Sequence, residues 1–406
     1  MRLLHTTRLV FQEFFDADIP SYIILSHRWL HDEVSYQNFI LGRKKSSQGY
    51  AKILGSCRQA SRTGNGKDPL STEEPERSHG WLFADHRHST EWVWIDTCCI
   101  DKSSSAELSE AINSMYRWYS NAKCCHVYLH DVVKSEIPDN TMAQFKNSEW
   151  FTRGWTLQEL LAPKDVIFFD KNWMELGDKI TLSRKISRAT LISDWHLLSF
   201  SPSTVRVAEK MQWMANRKTS RVEDEAYCLL GLFDINMPLL YGEGHNASRR
   251  LQQEILPTSD DESIFAWEHP TMMITSVLSS HLDQFGFKCD ERHDGEYSAV
   301  AGVSRPPYTI TNKGLKIKVP TELAKRTRFL LPLSCLHFDS QGLEWLYAIA
   351  LAHSPRDNCW HRVMRTDSIN TSPDHIFPGL YKVRTSSLWK RENLKEKGSE
   401  SIYVFL

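Results

Sequence analysis

No stretch of this sequence stays apolar for long. The longest such runs, LYAIALA near residue 350 among them, fall far short of the roughly 18–20 residues that span a bilayer, so no transmembrane helix and no membrane partner are expected. The first twenty residues, MRLLHTTRLVFQEFFDADIP, interrupt their apolar positions with His5, Arg8 and Glu13 and lack the continuous apolar core of a secretory signal. No export is expected, and a cytoplasmic location follows. An excess of either charge is missing too. Forty-nine basic against fifty acidic residues leave a formal charge of −1, which gives no electrostatic footprint for nucleic acid or anionic lipid. The nine cysteines never form a C-x-x-C, are odd in number and include the adjacent pairs Cys98/Cys99 and Cys124/Cys125. Neither a zinc knuckle nor a disulfide framework fits that pattern, so no metal is expected and the thiols read as reduced.

What is present is an ordinary globular composition, 41% hydrophobic and 24% charged, over 406 residues. A chain of that length suggests two or three units. YIIL at 22–25 is a short β-prone run that stops at the polar cluster Ser26, His27, Arg28 and reads as a buried strand ending in a loop. From residue 46 the chain turns helical, with Tyr50, Ile53, Leu54 and Cys57 on one stripe. Residues 61–90 are polar and aperiodic, the pattern of a mobile insertion dispensable for folding. WVWID at 92–96 is a second strand. The loop TCCIDKSS leads from it into a helix carrying Leu108, Ile112, Met115, Tyr119 and Ala122, with Ser104 and Glu107 as a capping box. CHVYL at 125–129 and DVIFFD at 165–170 are further strands, and SEWFTRGWTLQELLAP between them reads as a helix that must stop near Pro163. Gly154 costs that helix about 1 kcal/mol relative to alanine.

Strands alternating with helices imply right-handed crossovers and a parallel sheet, with ligands beyond the carboxyl ends of the strands. The pattern becomes helical from 176 to 260 and β-rich from 261 to 406. In the last part Tyr308 and Ile310, a turn at Asn312–Lys313–Gly314, and Leu315, Ile317 and Val319 alternating with Lys316 and Lys318 signal a hairpin. Its polar residues alternate as on a solvated sheet face, so no chemistry is expected there.

Three groups of residues could carry chemistry. Ser26, His27, Arg28 and Trp29 lie just past the first strand, where backbone donors, a cation and an aromatic face could hold a phosphorylated, ring-bearing ligand; a capped strand end with Trp29 packed in the core fits equally well. Asp96, Asp101 and Lys102 reach the same rim and could bind ribose hydroxyls, or Asp96 and Asp101 could cap the loop while Lys102 is solvated. Trp155 and Glu159 stand four residues apart on one helix face, so the carboxyl is partly desolvated beside an indole; pairing with Arg153 as a structural ion pair is the alternative.

YIILSHRW, WVWIDTCCIDK with its following helix, and WFTRGWTLQELLAP resemble, in order and spacing, the three signature blocks of the fungal heterokaryon incompatibility (HET) domain. TSRVEDEAYCLLGLFDINMPLLYGEG, RLQQEI and DESIFAW resemble the extension common to HET proteins, and YTITNKGLKIKVP resembles their variable C-terminal part. The strong resemblance covers about 20 to 267. HET domains are in turn similar to TIR domains, in which a strand ending in a Ser-containing loop, a second strand ending in Asp, and a W-x-x-x-E helix recur. The resemblance implies a TIR-like (flavodoxin-like) α/β domain over 1–175, a helical extension over 176–260 and a β-rich C-terminal domain over 261–406. In TIR enzymes the glutamate of the W-x-x-x-E helix is catalytic in NAD cleavage, so the resemblance implies that Glu159 works at the nicotinamide ribose, with Trp155 beside it. The region between Asp96 and the 106–120 helix departs from the TIR loop that covers the substrate.

The function implied is an NAD(P)+ glycohydrolase of vegetative incompatibility and programmed cell death, with NAD or NADP as substrate and no cofactor. Departure of nicotinamide leaves an oxocarbenium-like ribose that a carboxylate stabilises. The alternatives are a non-catalytic assembly module acting by self-association, and a cysteine hydrolase using Cys98 or Cys99 with His27. The NACHT module and WD repeats that follow some HET domains are not found in this sequence, so an expected incompatibility sensor is another protein or the β-rich tail.

Overall fold

The computed structural model describes residues 1–61, 89–267, 276, 278–285, 308–320, 328–338, 344–362, 375–377, 380–384 and 399–404. The insertion expected at 61–90 lies almost wholly outside them. The chain divides into two compact units. One comprises Met1–Ser201 with Arg217–Thr219 and Leu230–Leu239, the other Pro202–Asn216, Ser220–Leu229 and Leu240–Leu406. The division cuts across the helical stretch expected at 176–260.

The first unit is built on a seven-stranded sheet. Its strands in chain order are β1 (Arg2–His5), β2 (Phe11–Glu13), β3 (Ile23–His27), β4 (Trp92–Ile95), β5 (Cys124–Tyr128), β6 (Val166–Phe169) and β7 (Glu175–Asp178). In space they run β2-β1-β4-β3-β5-β6-β7. The middle four are parallel, and β1, β2 and β7 pair antiparallel at the edges. Helices α1 (Tyr36–Ile40) and α2 (Gln48–Ser61) lie in the crossover from β3 to β4. α3 (Asp96–Cys99) and α4 (Ser105–Asn121) connect β4 to β5, and α5 (Pro138–Lys146) and α6 (Thr156–Leu161) connect β5 to β6.

The parallel strands read as continuous apolar runs because helices cover both faces of such a sheet. Ile23, Ile24 and Leu25 of β3, Val93, Trp94 and Ile95 of β4, and Cys124, Cys125 and Val127 of β5 are all completely buried. Trp94 meets Trp118 and Tyr119 of α4 edge to face, at 5.5 and 6.0 Å. Among the four parallel strands the chain moves from β3 outward to β4 and then back past β3 to β5. That reversal opens a crevice beyond the carboxyl end of β3, the place where open α/β sheets bind ligands.

Three expectations change. β3 runs through His27, so Ser26 and His27 are its last residues and not a loop; their pairing with Val127 and Tyr128 of β5 extends the strand past its apolar run. The segment 148–163 is not one helix. It forms a 3-10 turn, Glu149–Thr152, and α6, separated at Arg153 and Gly154. The break is held by backbone pairing with a later segment: Gly154 N–H donates to Lys218 at 2.9 Å and Lys218 N–H donates to Thr152 at 2.7 Å. α6 then ends before Pro163, as proline requires. The capping box is only half formed. Ser104 accepts from the Glu107 amide, but the Glu107 carboxylate turns to the Asp101 amide and to Arg2, both at 2.8 Å.

The second unit carries an eight-stranded sheet, mostly antiparallel: β8 (Thr309–Thr311), β9 (Gly314–Pro320), β10 (Arg328–Phe338), β11 (Glu344–Ser354), β12 (Cys359–Arg362), β13 (His375–Phe377), β14 (Leu380–Arg384) and β15 (Ser399–Val404). β8 and β9 form the expected hairpin, with Leu315, Ile317 and Val319 buried on one face. Gly314 takes φ +112° where β9 leaves the turn, a conformation that side chains disfavour.

Candidate active site

The crevice is lined from four directions. β3 delivers Ser26 and His27, whose side chains point to opposite faces because strand residues alternate. Asp96 opens α3 directly after β4, the loop after it brings Lys102, and the 148–163 segment supplies Trp150, Arg153 and Glu159.

Glu159 lies on α6 and is buried, only 6% exposed. Its carboxylate accepts a hydrogen bond from Ser26 Oγ, and Ser26 Oγ in turn accepts one from Trp150 Nε1 at 2.9 Å. Because the indole N–H occupies a serine lone pair, the serine proton is directed at the carboxylate. Trp150 is itself fixed in an aromatic cluster, edge to face with Phe151 at 5.1 Å and Phe168 at 5.8 Å. Burial, and then repulsion from Asp96, push the Glu159 carboxyl up to about 8, against the opposing effects of Ser26, Arg153 and Tyr119. The acid is poised near neutrality, where enzymes place carboxyls that act. It is not half of a structural ion pair: Arg153 stands beyond 4.0 Å, and among the described residues its guanidinium has no ion-pair partner.

Beside this carboxyl sits a second polar group. Trp29 Nε1 donates to Asp96 Oδ2 at 2.6 Å, Lys102 Nζ stands 3.1 Å from the centroid of the Trp29 ring, and Arg153 lies 5.6 Å from the same ring. Burial raises the Asp96 carboxyl and lowers the Lys102 ammonium. His27 is buried, with Nε2 3.7 Å from Asp96 and 3.9 Å from Glu33. Desolvation, then Lys52, Arg153 and Lys102, hold its imidazole well below its ordinary value, so it is neutral at pH 7. Glu33 is tied to Lys52 through Oε1 and accepts from the Leu30 amide at 2.9 Å.

The structure thus gathers Ser26, His27, Trp29, Asp96, Lys102 and Glu159. The other residues read from the sequence are placed differently. Arg28 is half-buried and paired with Glu149. Asp101 is engaged as a loop cap, accepting from Ser103 Oγ at 2.6 Å, the Ser103 amide at 3.1 Å and Gln37 at 2.8 Å, and its bond to Ser103 lowers its carboxyl. Trp155 stands half-buried at the N-terminal end of α6, and the indole bonded into the Glu159 network is that of Trp150. Trp150, Arg153, Glu33 and Lys52 were not singled out from the sequence as ligand-binding. The signature block WFTRGW contains both Trp150 and Arg153, but the contacts of Trp150 with Ser26 and of Lys52 with Glu33 are tertiary.

A possible metal group among the described residues is His130, Asp131 and Glu149. The three offer ligand atoms within 4.8 Å of one another, His130 facing Asp131 with Nδ1 at 4.0 Å and Glu149 with Nε2 at 3.7 Å. Both Asp131 oxygens are also engaged, by Ser148 Oγ and the Glu149 amide at 2.7 Å each. The cysteines next to the crevice are buried and free, and burial pushes the Cys98 thiol well above its ordinary value, away from the thiolate a nucleophile needs.

Residues 22–141 match the family described as heterokaryon incompatibility protein (HET). Over that span the chain is similar to the HET domain. It is 42% identical over 244 residues to the vegetative incompatibility protein HET-E-1 of Podospora anserina, a span of 58% of this chain and 16% of that protein. The chain therefore spans about a sixth of the length of the curated relative it matches. No solved structure matches it. The HET match holds β3, α2, β4, α4 and β5, and with them Ser26, His27, Glu33 and Asp96; it ends before Glu159. No helix among the described residues is long and apolar enough to cross a membrane.

Proposed function

We propose that this HET-domain protein acts in vegetative incompatibility as an NAD(P)+ glycohydrolase, with Glu159 as the catalytic carboxylate of a TIR-like, flavodoxin-like domain. The observation that carries the reading is the buried Glu159 carboxyl, oriented by Ser26 and Trp150 and raised to about 8, at the crevice where the sheet order reverses. As nicotinamide leaves, positive charge develops on the ribose, and a preorganised carboxylate in a low-dielectric site stabilises it. Arg153 and Lys102 supply unneutralised cations for the pyrophosphate. They replace Arg28, whose charge Glu149 already neutralises. The test is incubation of the purified protein with NAD and chromatography for nicotinamide. Release by the parent and none by Glu159→Gln supports the reading; no release by the parent overturns it.

One observation favours a second reading, that of an assembly module. Ile180, Leu191, Trp195 and Leu198 of the first unit are all large, apolar and exposed, Trp195 by 73%. Apolar side chains concentrated in nineteen residues suit self-association.

A further inference from the structure

The crevice holds polar atoms that its own residues leave unsatisfied. His27 Nδ1 and Nε2, Glu33 Oε2 and Asp96 Oδ1 are buried and have no hydrogen-bond partner. Each carboxylate is half engaged. Glu33 gives Oε1 to Lys52 and the Leu30 amide, Asp96 gives Oδ2 to Trp29, and in each the second oxygen stands within 4 Å of the same imidazole nitrogen. Leaving a buried polar group unpaired costs about 1–3 kcal/mol, more for a charged one, so three such atoms around one point, His27 Nε2, Glu33 Oε2 and Asp96 Oδ1, describe a site for a guest.

The chemistry of the guest follows from the donor count. Two carboxylate oxygens can only accept, while the neutral imidazole offers one N–H and one acceptor. A cation is already supplied by Lys52, and an anion would be repelled by both carboxylates. A pair of neighbouring hydroxyls fits: each donates its proton to one carboxylate oxygen, and one of them accepts from the imidazole N–H if the tautomer places it on Nε2.

We propose that His27, Glu33 and Asp96 form a hydroxyl-binding subsite that takes the vicinal diol of the ribose whose glycosidic bond faces Glu159. The assignment rests on the glycohydrolase reading for the identity of the sugar and on the orphaned atoms for its chemistry. It makes Glu33, unremarkable in the sequence, a substrate-binding residue, and gives the buried His27 a role as a neutral donor. Lys52 orients the Glu33 carboxylate through Oε1.

The test measures binding, because removing a hydroxyl next to the anomeric carbon also alters the reactivity of the bond. Titration calorimetry on Glu159→Gln protein, which consumes nothing, compares NAD with its analogue lacking the 2′-hydroxyl of the nicotinamide ribose. With the pocket intact, loss of the hydroxyl weakens binding about ten- to a hundred-fold, the range for a hydrogen bond to a charged group. Adding Glu33→Gln reduces that penalty to less than about threefold. Asp96→Asn, which keeps an acceptor for Trp29, does the same for the analogue lacking the 3′-hydroxyl, the one left to Asp96, and serves if the Glu33 variant fails to fold. Equal binding of the two ligands to the intact pocket overturns the subsite and assigns the orphaned atoms to water. Parent protein that releases nicotinamide while binding both ligands equally sinks the subsite alone. Discrimination between the ligands by a protein that releases none sinks the glycohydrolase reading alone. Absence of binding by either dinucleotide overturns both.

Discussion

Glu159 is an acid whose charge the fold resists, and that makes its behaviour with pH specific. Charge stabilisation needs the carboxylate, so nicotinamide release should rise as pH increases through about 8. Ser26→Ala removes a bond to the charged form and should move that rise to higher pH; Trp150→Phe, which only unlocks the serine, should move it in the same direction by less. A pH–rate profile of the three proteins checks the order. Glu159→Gln should cut turnover by about a hundred- to a thousand-fold, the cost of losing one preorganised transition-state contact. Stability responds with the opposite sign. A carboxyl whose folded-state value is raised stabilises the fold below its ordinary value of 4.5, and that contribution is lost as pH rises through about 8. Glutamine has no such loss, so the melting temperature of Glu159→Gln relative to the parent should climb between about pH 5 and pH 9. A variant uniformly less stable at every pH would mark Glu159 as a structural partner.

At the scale of elements, close packing outweighs helix propensity. Gly55 lies within α2, where alanine would ordinarily gain about 1 kcal/mol. A Cβ there would fall 2.0 Å from Trp173 Nε1, and Gln59 of the same helix donates to the Trp173 carbonyl at 2.9 Å, so the helix is docked against that loop. Overpacking costs about 1–3 kcal/mol and wins. Gly55→Ala should therefore lower the melting temperature, and Trp173→Leu in the same chain should restore part of it. Elements also show what the sequence could and could not reveal. The four parallel strands were legible because both faces are buried and their runs are mostly apolar. β1, β2 and β7 were not, since three or four residues of mixed polarity at a sheet edge carry no period. The helix expected across 148–163 had the right composition, and the glycine noted as its cost is where it breaks. Tertiary pairing with Lys218, which no local pattern announces, decides the break. Glu159 and Ser26 were legible through their motifs. The Trp150 indole that locks them acts across 124 residues of sequence, and its partner shows only in three dimensions.

For the whole molecule, truncations turn on the first unit's later segments, Arg217–Thr219 and Leu230–Leu239. A chain ending near 260 keeps Arg217–Thr219 and Leu230–Leu239, and should retain nicotinamide release without the β-rich region. One ending at 201 loses the Arg217 guanidinium, which donates to the Arg153 carbonyl at 2.9 Å and to Thr156 Oγ1 at 2.8 Å, and should be inactive. Comparing both with the full chain, each checked for folding by circular dichroism, places the activity. Self-association is separable from it. Trp195→Ser should leave turnover intact and, if the exposed apolar segment joins copies, lower the mass seen by light scattering.

The strap formed by Arg217 and Lys218 also sets a clock. Arg153 is translated 64 residues before Arg217, so at about 5–20 residues per second the ribosome needs roughly 3–13 s to add the residues that pin it. A nascent chain carries Ser26, Asp96 and Glu159 through that interval without the support that holds the Arg153 backbone. Chains abandoned before residue 217 lack the side chain that pins the Arg153 carbonyl.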